Sequence, residues 1–164
     1  MQKNFENHEF LNGQNFSKIA NVIYAINVPN EDLSEFDIND YKIISKNNEF
    51  TGLKLKNLKI KNGDIIFCNS SYLGLLFKYL KRLKKITSIT LITSQSDFSI
   101  TKKIFVNKPP SITKWYAVNV AFKDKRLIPI PLGLANNYSS KNIRTNDLVN
   151  FKFEKVDKEN KLYV

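Results

Sequence analysis

The stretch DIIFCNSSYLGLLFKYLKRLKKITSITLIT, residues 64–93, contains the strongest structural pattern in the chain. Its first six residues form a short apolar run that predicts a buried strand. From residue 70 to residue 85 the apolar side chains recur at helical spacing. Ser70 or Ser71 can cap this helix by accepting a hydrogen bond from a free backbone N–H. ITSITLIT predicts a second buried strand. Strand, helix and strand within about 30 residues predict a βαβ unit with parallel strands.

The residues after this unit extend the same alternation. KPP, residues 108–110, sets a boundary because a residue before a proline disfavours helical backbone. SITKWYAVNV, residues 111–120, is then predicted to be a short helix. RLIPI, residues 126–130, predicts a third strand, with PLGLANN, residues 131–137, as its exit loop. The order βαβαβ predicts an α/β fold with an open, mostly parallel Rossmann-like sheet and helices on both faces.

The first part of the chain has weaker patterns. FSKIANVIYAINV, residues 16–28, is apolar enough to form an element but fits a strand and a helix equally well. YKIIS, residues 41–45, predicts a short strand. Residues 47–64 are interpreted as a lysine-rich connection that ends in a turn at Asn62 and Gly63.

Length and composition predict one Rossmann-like domain with polar ends. The chain has 164 residues, of which 42% are hydrophobic and 25% charged, as in ordinary globular domains. We expect a loose N-terminal segment over residues 1–15 and the domain over residues 16–150. Residues 151–164 then form a linker and the start of a second domain, because KLYV at the end resembles the opening of an apolar strand. No run is apolar enough to span a membrane, and no signal core is present, so a cytoplasmic location is expected.

Several classes of chemistry are disfavoured by what the sequence lacks. Cys68 is the only cysteine and lies in an apolar run, so we expect a buried thiol and no internal disulfide. His8 is the only histidine, which argues against histidine catalysis and multi-histidine metal sites, and no metal is predicted. P-loop, GxGxxG, paired-cysteine and GxSxG motifs are missing, which argues against a self-contained NTPase, dehydrogenase, zinc enzyme or α/β-hydrolase.

The net charge of +11 is distributed unevenly. Residues 1–50 carry a net charge of −4, and residues 51–164 carry +15. Such a field attracts an anion, which can be a nucleic acid, a nucleotide-linked substrate or a membrane surface. Codon use in an AT-rich genome explains abundant lysine equally well. The cationic cluster of the predicted helix, which fits a solvated face, consists of Lys78, Lys81, Arg82 and Lys85.

Polar loops follow the three predicted strands. Ligands of open parallel sheets bind beyond the carboxyl ends of the strands, which selects residues 69–71, 94–97 and 131–137. Serine, asparagine and aspartate also cap helices and form turns, so a purely structural role stays open. The candidate substrate-binding residues are Asn69, Ser70, Ser94, Gln95, Ser96, Lys114, Trp115, Tyr116, Asn119, Pro131, Gly133 and Asn136.

Asp97 is the candidate catalytic residue, because it follows a predicted strand in a region with few other acids. A carboxylate there can accept a proton from a substrate hydroxyl, and capping of the next segment is the alternative. Trp115 and Tyr116 can form a flat platform for a sugar ring or a base, or Trp115 packs in the core. On the predicted helix Asn119 shares a face with Trp115, and we expect Lys114 and Asn119 to face a cleft.

Four segments in this order resemble motifs of exostosin-like glycosyltransferases, which have the GT-B fold. The family pattern is a strand ending in asparagine, a helix, an NSD loop, a tryptophan motif close to KWFAQN and a P-GL-N loop. The chain departs from it with Gln95 where an asparagine is usual and Val118 where a glutamine is usual, and the second change removes one polar contact. The matching segments are IIFCNSSYLGLLFKYLKRLKK (65–85), LITSQSDFSI (91–100), ITKWYAVNV (112–120) and LIPIPLGLANN (127–137).

The resemblance implies the N-terminal, acceptor-side domain of an enzyme that transfers sugar from a nucleotide-sugar donor to a surface glycan or similar acceptor. Asp97 is then expected to accept the proton of the acceptor hydroxyl. No cofactor is implied beyond the nucleotide sugar as co-substrate, which a second, C-terminal domain would mainly bind. The isolated chain is therefore expected to be truncated and inactive.

Two other interpretations stay open. A basic nucleic-acid-binding α/β protein fits the charge, but no known nucleic-acid motif is present. A non-catalytic Rossmann-like binding module fits the lack of a second domain. Peripheral contact with the inner face of a membrane is compatible with the transferase interpretation.

Overall fold

A seven-stranded sheet organises residues 15–133, the part of the chain that the computed structural model describes. Three short helices, α1 (Asn15–Lys18), α2 (Leu73–Leu80) and α3 (Lys102–Val106), connect or flank the strands. Turns of 3₁₀ helix cover Asn30–Glu35 and Ser70–Tyr72. The strands are β1 (Val22–Pro29), β2 (Tyr41–Lys46), β3 (Phe50–Leu55), β4 (Ile65–Asn69), β5 (Ile89–Ser94), β6 (Ile112–Ala117) and β7 (Leu127–Pro129).

The sheet is open and mostly parallel, in the order β2-β3-β1-β4-β5-β6-β7. The neighbouring pairs β1–β4, β4–β5, β5–β6 and β6–β7 are parallel. β3 is antiparallel to both β1 and β2. This arrangement confirms the predicted α/β fold class. It also means that β1, β4, β5, β6 and β7 all end at one edge of the sheet, which we call the carboxyl edge.

The predicted β4–α2–β5 unit is present, but its helix is shorter than expected. Leu76 and Leu80 of α2 are buried against the sheet. After Leu80 the chain continues in turns, so most of the predicted cationic cluster lies beyond the helix. The cap is also different from the prediction. No side chain caps α2 itself, and Asn69 Oδ1 caps the preceding 3₁₀ turn by accepting a hydrogen bond from the Ser71 N–H at 3.0 Å.

The prediction of a helix over residues 111–120 is wrong, because the segment contains strand β6. Its backbone pairs with β5 on one side and β7 on the other. Burial there follows strand pairing and not a helical period: Trp115 and Ala117 are buried, and Tyr116 between them is half-buried. The crossover helix is α3, whose cap is Thr101. A short apolar run fits either structure, and the two neighbouring strands decide in favour of the strand.

Two other segments differ from the sequence interpretation. The ambiguous residues 16–28 contain both the end of α1 and most of β1. The supposed connection over residues 47–64 contains β3, which was not predicted. The turn at Asn62 and Gly63 is confirmed, and Gly63 has a φ of 88°, which glycine adopts without steric cost.

The sheet separates two apolar clusters, because successive side chains of a strand point to opposite faces. One cluster includes side chains of α2 and α3 together with Cys68, which is fully buried. This burial confirms the predicted core thiol, and it raises the pKa of Cys68. The other cluster contains Phe16 of α1, and Leu33 and Phe36 pack against it. Helical elements therefore cover both faces.

Some predictions concern residues outside the described range 15–133. They include nearly all of the segment 1–15, the linker at 151–164 and the last part of the domain up to residue 150. Within the described range, no helix combines the length and the apolar character that crossing a bilayer requires.

Side-chain packing leaves no room for a Cβ atom at Gly52 of β3. Such an atom would lie 2.1 Å from Ser45 Oγ and 3.3 Å from both Asn27 Oδ1 and the Tyr72 hydroxyl. Ser45 and Tyr72 are themselves within hydrogen-bonding distance, at 3.3 Å. Gly52 thus allows three polar side chains to meet over β3.

We expect Gly52→Ala to destabilise the fold by about 1–3 kcal/mol, because the added methyl group must displace Ser45 and break its contact with Tyr72. Gly74→Ala is the matched control. Gly74 lies in α2 with no heavy atom within 4 Å of its Cβ position, so alanine should stabilise the helix by about 0.5–1 kcal/mol. Urea unfolding measures both free energies. Equal and small effects would contradict the packing at Gly52.

Candidate functional site

The carboxyl edge brings together the polar loops after β4, β5 and β6. Asn69 at the end of β4 donates through Nδ2 to the Gln95 carbonyl at 3.2 Å. Ser70 Oγ donates to the Ser94 carbonyl at 3.3 Å. Asn119, just after β6, donates through Nδ2 to the Ser96 carbonyl at 3.1 Å. The predicted convergence of the first two loops is therefore present, and Asn119 joins them.

Gln95 connects β5 to β1 across the end of β4. Its Oε1 accepts from the Asn27 N–H at 2.9 Å, and its Nε2 donates to the Asn27 carbonyl at 3.0 Å. The paired register between β1 and β4 ends at Ala25 and Cys68. The amide of Gln95 thus satisfies backbone groups of β1 that have no partner on β4.

Two non-glycine residues at this edge have left-handed backbone. Gln95 has a φ of 65° and Asn119 a φ of 54°. For residues other than glycine this region is uncommon, and it costs free energy that the surroundings must supply. Both amide side chains are held by backbone partners, and the Asn119 carbonyl also accepts from Ile100 N–H at 2.9 Å. Such strain is concentrated at functional sites in many proteins.

Asp97 lies two residues after Gln95, in the loop between β5 and α3, and is exposed. Its carboxylate makes no hydrogen bond or ion pair with another residue of the range 15–133, so it does not cap the following helix. Thr101 provides that cap, by accepting from the Ile104 N–H at 3.4 Å. The carboxylate is therefore available to a ligand at the carboxyl edge. Within the same range, no three histidine, cysteine, aspartate or glutamate side chains are grouped so that they could hold a metal ion.

Two buried polar atoms at this edge have no hydrogen-bond partner among the described residues. They are Asn27 Oδ1 and Ser94 Oγ. Sequence interpretation missed Asn27, as well as Tyr72 and Ser45 beside it. An asparagine inside the apolar run of β1 was the available signal, because a buried amide needs partners.

Three predicted site residues do not join the loop cluster at the carboxyl edge. Lys114 pairs with Thr90 in the first half of β5, away from the carboxyl edge, and its side chain is exposed. Trp115 is 0% exposed and donates from Nε1 to Thr93 Oγ1 at 2.9 Å, so it belongs to the core and offers no open face. Tyr116 packs against the opposite apolar cluster. The alternative in which Trp115 packs in the core is therefore confirmed, and no platform forms next to a lysine.

The loop after β7 also reaches the carboxyl edge. Ile130 N–H donates to the Ala117 carbonyl at 2.9 Å. Pro131 and Gly133 follow it, both exposed, and Gly133 has a φ of 75°. Asn136 lies outside the described residues.

An open groove of about 760 Å³ begins directly after Asn119. It continues along the connection between β6 and β7 to Pro129. Its lining is mainly apolar and includes three charged residues. The residues that line it are Val120, Ala121, Phe122, Lys123, Asp124, Lys125, Leu127 and Pro129.

Comparison with family models, curated proteins and solved structures gives no match for this chain. The resemblance to exostosin-like glycosyltransferases therefore stays a prediction from the sequence.

Gln95→Asn tests the connection between β5 and β1. Asparagine adopts left-handed backbone more readily than glutamine, so local preference favours the variant. Its side chain is one methylene shorter, so it cannot reach both Asn27 groups. We expect a net loss of about 1–3 kcal/mol, because buried backbone groups lose their partners.

The diagnostic measurement is native-state hydrogen exchange at the Asn27 amide, which should become faster in Gln95→Asn and in Gln95→Met. Methionine matches the length of glutamine but has no amide. Unchanged exchange at Asn27 in both variants would refute the proposed role of Gln95.

Proposed function

We propose that this chain is the acceptor-side domain of a glycosyltransferase similar to the exostosin-like GT-B group. The observation that carries the proposal is the carboxyl edge, where Asp97 is exposed in the loop that follows Gln95 and that Asn119 contacts through the Ser96 carbonyl. Parallel α/β sheets bind their ligands at this edge. The amide groups of Asn69, Gln95 and Asn119 donate to backbone carbonyls and not to Asp97.

The chemistry of the edge suits a ligand rich in hydroxyl groups. Serine hydroxyls and amide groups form hydrogen bonds with sugar hydroxyls in either direction. The mainly apolar groove after Asn119 offers an adjacent surface for the face of a sugar ring. No lysine or arginine occurs between Asn69 and Ser71 or between Ser94 and Ser99, so these loops fit a neutral acceptor better than a phosphate.

In the proposed reaction Asp97 acts as a general base. Its carboxylate accepts the proton as the acceptor O–H bond breaks and the oxygen bonds to the anomeric carbon of the donor. The bond from that carbon to the nucleoside diphosphate breaks in the same step. The departing diphosphate is stabilised electrostatically by the donor-binding domain of such an enzyme. The nucleotide sugar is thus a co-substrate, bound mainly outside residues 15–133.

The proposal places the chain in the cytoplasm, where nucleotide sugars are available, with peripheral contact at the inner membrane face. It assigns no role to a nucleic acid.

Binding is tested first by NMR titration of the ¹⁵N-labelled chain with neutral glycans, nucleotide sugars and a short DNA duplex. We expect a glycan to shift the amide signals of Ser96, Asp97 and Asn119. The proposal would be overturned in favour of a nucleic-acid-binding protein if neither a glycan nor a nucleotide sugar shifts these signals and the DNA duplex binds.

Asp97→Asn tests the general base in a chain that carries both GT-B domains. The amide cannot accept the proton, so the turnover number should fall by about 10²–10⁴-fold while glycan affinity changes little. Glu49→Gln is the control, because Glu49 is an exposed carboxylate in the hairpin between β2 and β3. Normal turnover in Asp97→Asn would remove Asp97 from the mechanism.

A further inference from the structure

The opposite edge of the sheet, where β4 and β5 begin, is covered by cations. Two segments form this surface, residues 59–64 before β4 and residues 81–88 before β5. They line three concave surfaces. Lys59 lines two of these surfaces, and Lys84 and Ile86 line the third together with one of those two. We call this surface the basic face. Its cations, all exposed, are Lys59, Lys61, Lys81, Arg82, Lys84 and Lys85.

The two segments are fixed to each other, so the cations have a defined arrangement. Asn62 Oδ1 accepts from the backbone N–H groups of Thr87 at 2.8 Å and Ser88 at 3.2 Å. Gly63 N–H donates to the Ser88 carbonyl at 2.8 Å. The positive φ of Gly63 permits this close approach of the two turns.

The positive charge of the basic face is not neutralised within residues 15–133. None of its six cations forms an ion pair with a carboxylate of that range. Asp64 is the only acid in the two segments and is 6% exposed. Its Oδ2 accepts from the backbone N–H of Lys61 at 2.8 Å, so it is engaged locally. Six exposed cations this close together repel one another, and an external anion relieves the repulsion.

Aliphatic side chains lie between the cations. Ile60, Leu83 and Ile86 are half-buried and line the same concave surfaces. The aromatic residue there, Tyr79, is half-buried, and its hydroxyl donates to the Leu58 carbonyl. The basic face therefore combines flexible lysines with aliphatic surface and has no exposed ring on which a base could stack.

We propose that the basic face binds the surface of a bilayer that contains anionic phospholipids. Clusters of four to eight cations next to apolar side chains are typical of such surfaces, and each cation contributes about 1 kcal/mol near the membrane. Lysine stems and aliphatic side chains fit the boundary between headgroups and acyl chains. A single-stranded nucleic acid would favour exposed aromatic rings for stacking, which this face lacks.

The placement also sets the orientation of the molecule. Strands of five or six residues separate the basic face from the carboxyl edge by roughly 17–20 Å. A chain bound through the basic face holds Asp97 on the side away from the lipid. The inference names the surface for the membrane contact that the proposed function includes. It uses none of the residues of the transferase site, so the two proposals can fail separately.

Vesicle co-sedimentation of the 164-residue chain tests the proposal. Vesicles of phosphatidylcholine with phosphatidylglycerol should bind the chain, and pure phosphatidylcholine vesicles should not. High salt should weaken binding, because it screens exposed charges. The triple variant Lys59→Glu, Arg82→Glu, Lys84→Glu should lose about 100-fold or more in affinity, from about 1 kcal/mol for each cation removed.

The matched control is Lys46→Glu, Lys102→Glu, Lys103→Glu, which changes the net charge equally at exposed positions outside the basic face. It should lose less than about tenfold, since long-range charge effects are screened. Circular dichroism verifies that both variants fold. Equal losses in the two variants, or no binding to anionic vesicles, would overturn the proposal. Release of the vesicle-bound chain by duplex DNA at equal phosphate concentration would assign the basic face to nucleic acid instead.

Discussion

The burial of Trp115 joins both crossover helices to the sheet. Its ring packs edge-on against Phe77 of α2, with centroids 5.7 Å apart, and is stacked on Phe105 of α3 at 6.1 Å. Its indole N–H is satisfied by Thr93 of the neighbouring strand. A large aromatic side chain gains most from burial when its one polar group has a partner. From β6, which lies between β5 and β7, this one side chain contacts α2, α3 and β5 together.

The position of β6 also determines which loops meet at the carboxyl edge. With β6 parallel to β5, Asn119 emerges beside the loop that contains Asp97. A helix over the same residues would have placed Asn119 on the same face as Trp115. The polar edge is thus a consequence of strand pairing. Gln95 then completes it by reaching past the end of β4 to the backbone of β1.

The two edges of the sheet differ in charge and in construction. At the carboxyl edge, neutral polar side chains bind backbone groups and leave one carboxylate exposed. At the opposite edge, cations project from two turns that Asn62 holds together. The basic face is positively charged, and the carboxyl edge is neutral and polar apart from Asp97. This difference fits a molecule that approaches an anionic surface in one orientation. A structure with uniformly scattered lysines would have no such preferred orientation.

The sequence alone determined the α/β class, the β4–α2–β5 unit and the buried state of Cys68, because local periodicity and a continuous apolar run are sufficient for these. It also placed Asn69, Ser94, Gln95 and Asp97 at or just after the ends of β4 and β5. It did not determine β6, because ITKWYA fits a helix or a strand until strands on both sides supply its hydrogen bonds. Nor could it show that Gln95 reaches Asn27, which is 68 residues away along the chain, or that lysines from two segments form one face. Those features depend on which strands are neighbours, and only the tertiary structure decides that.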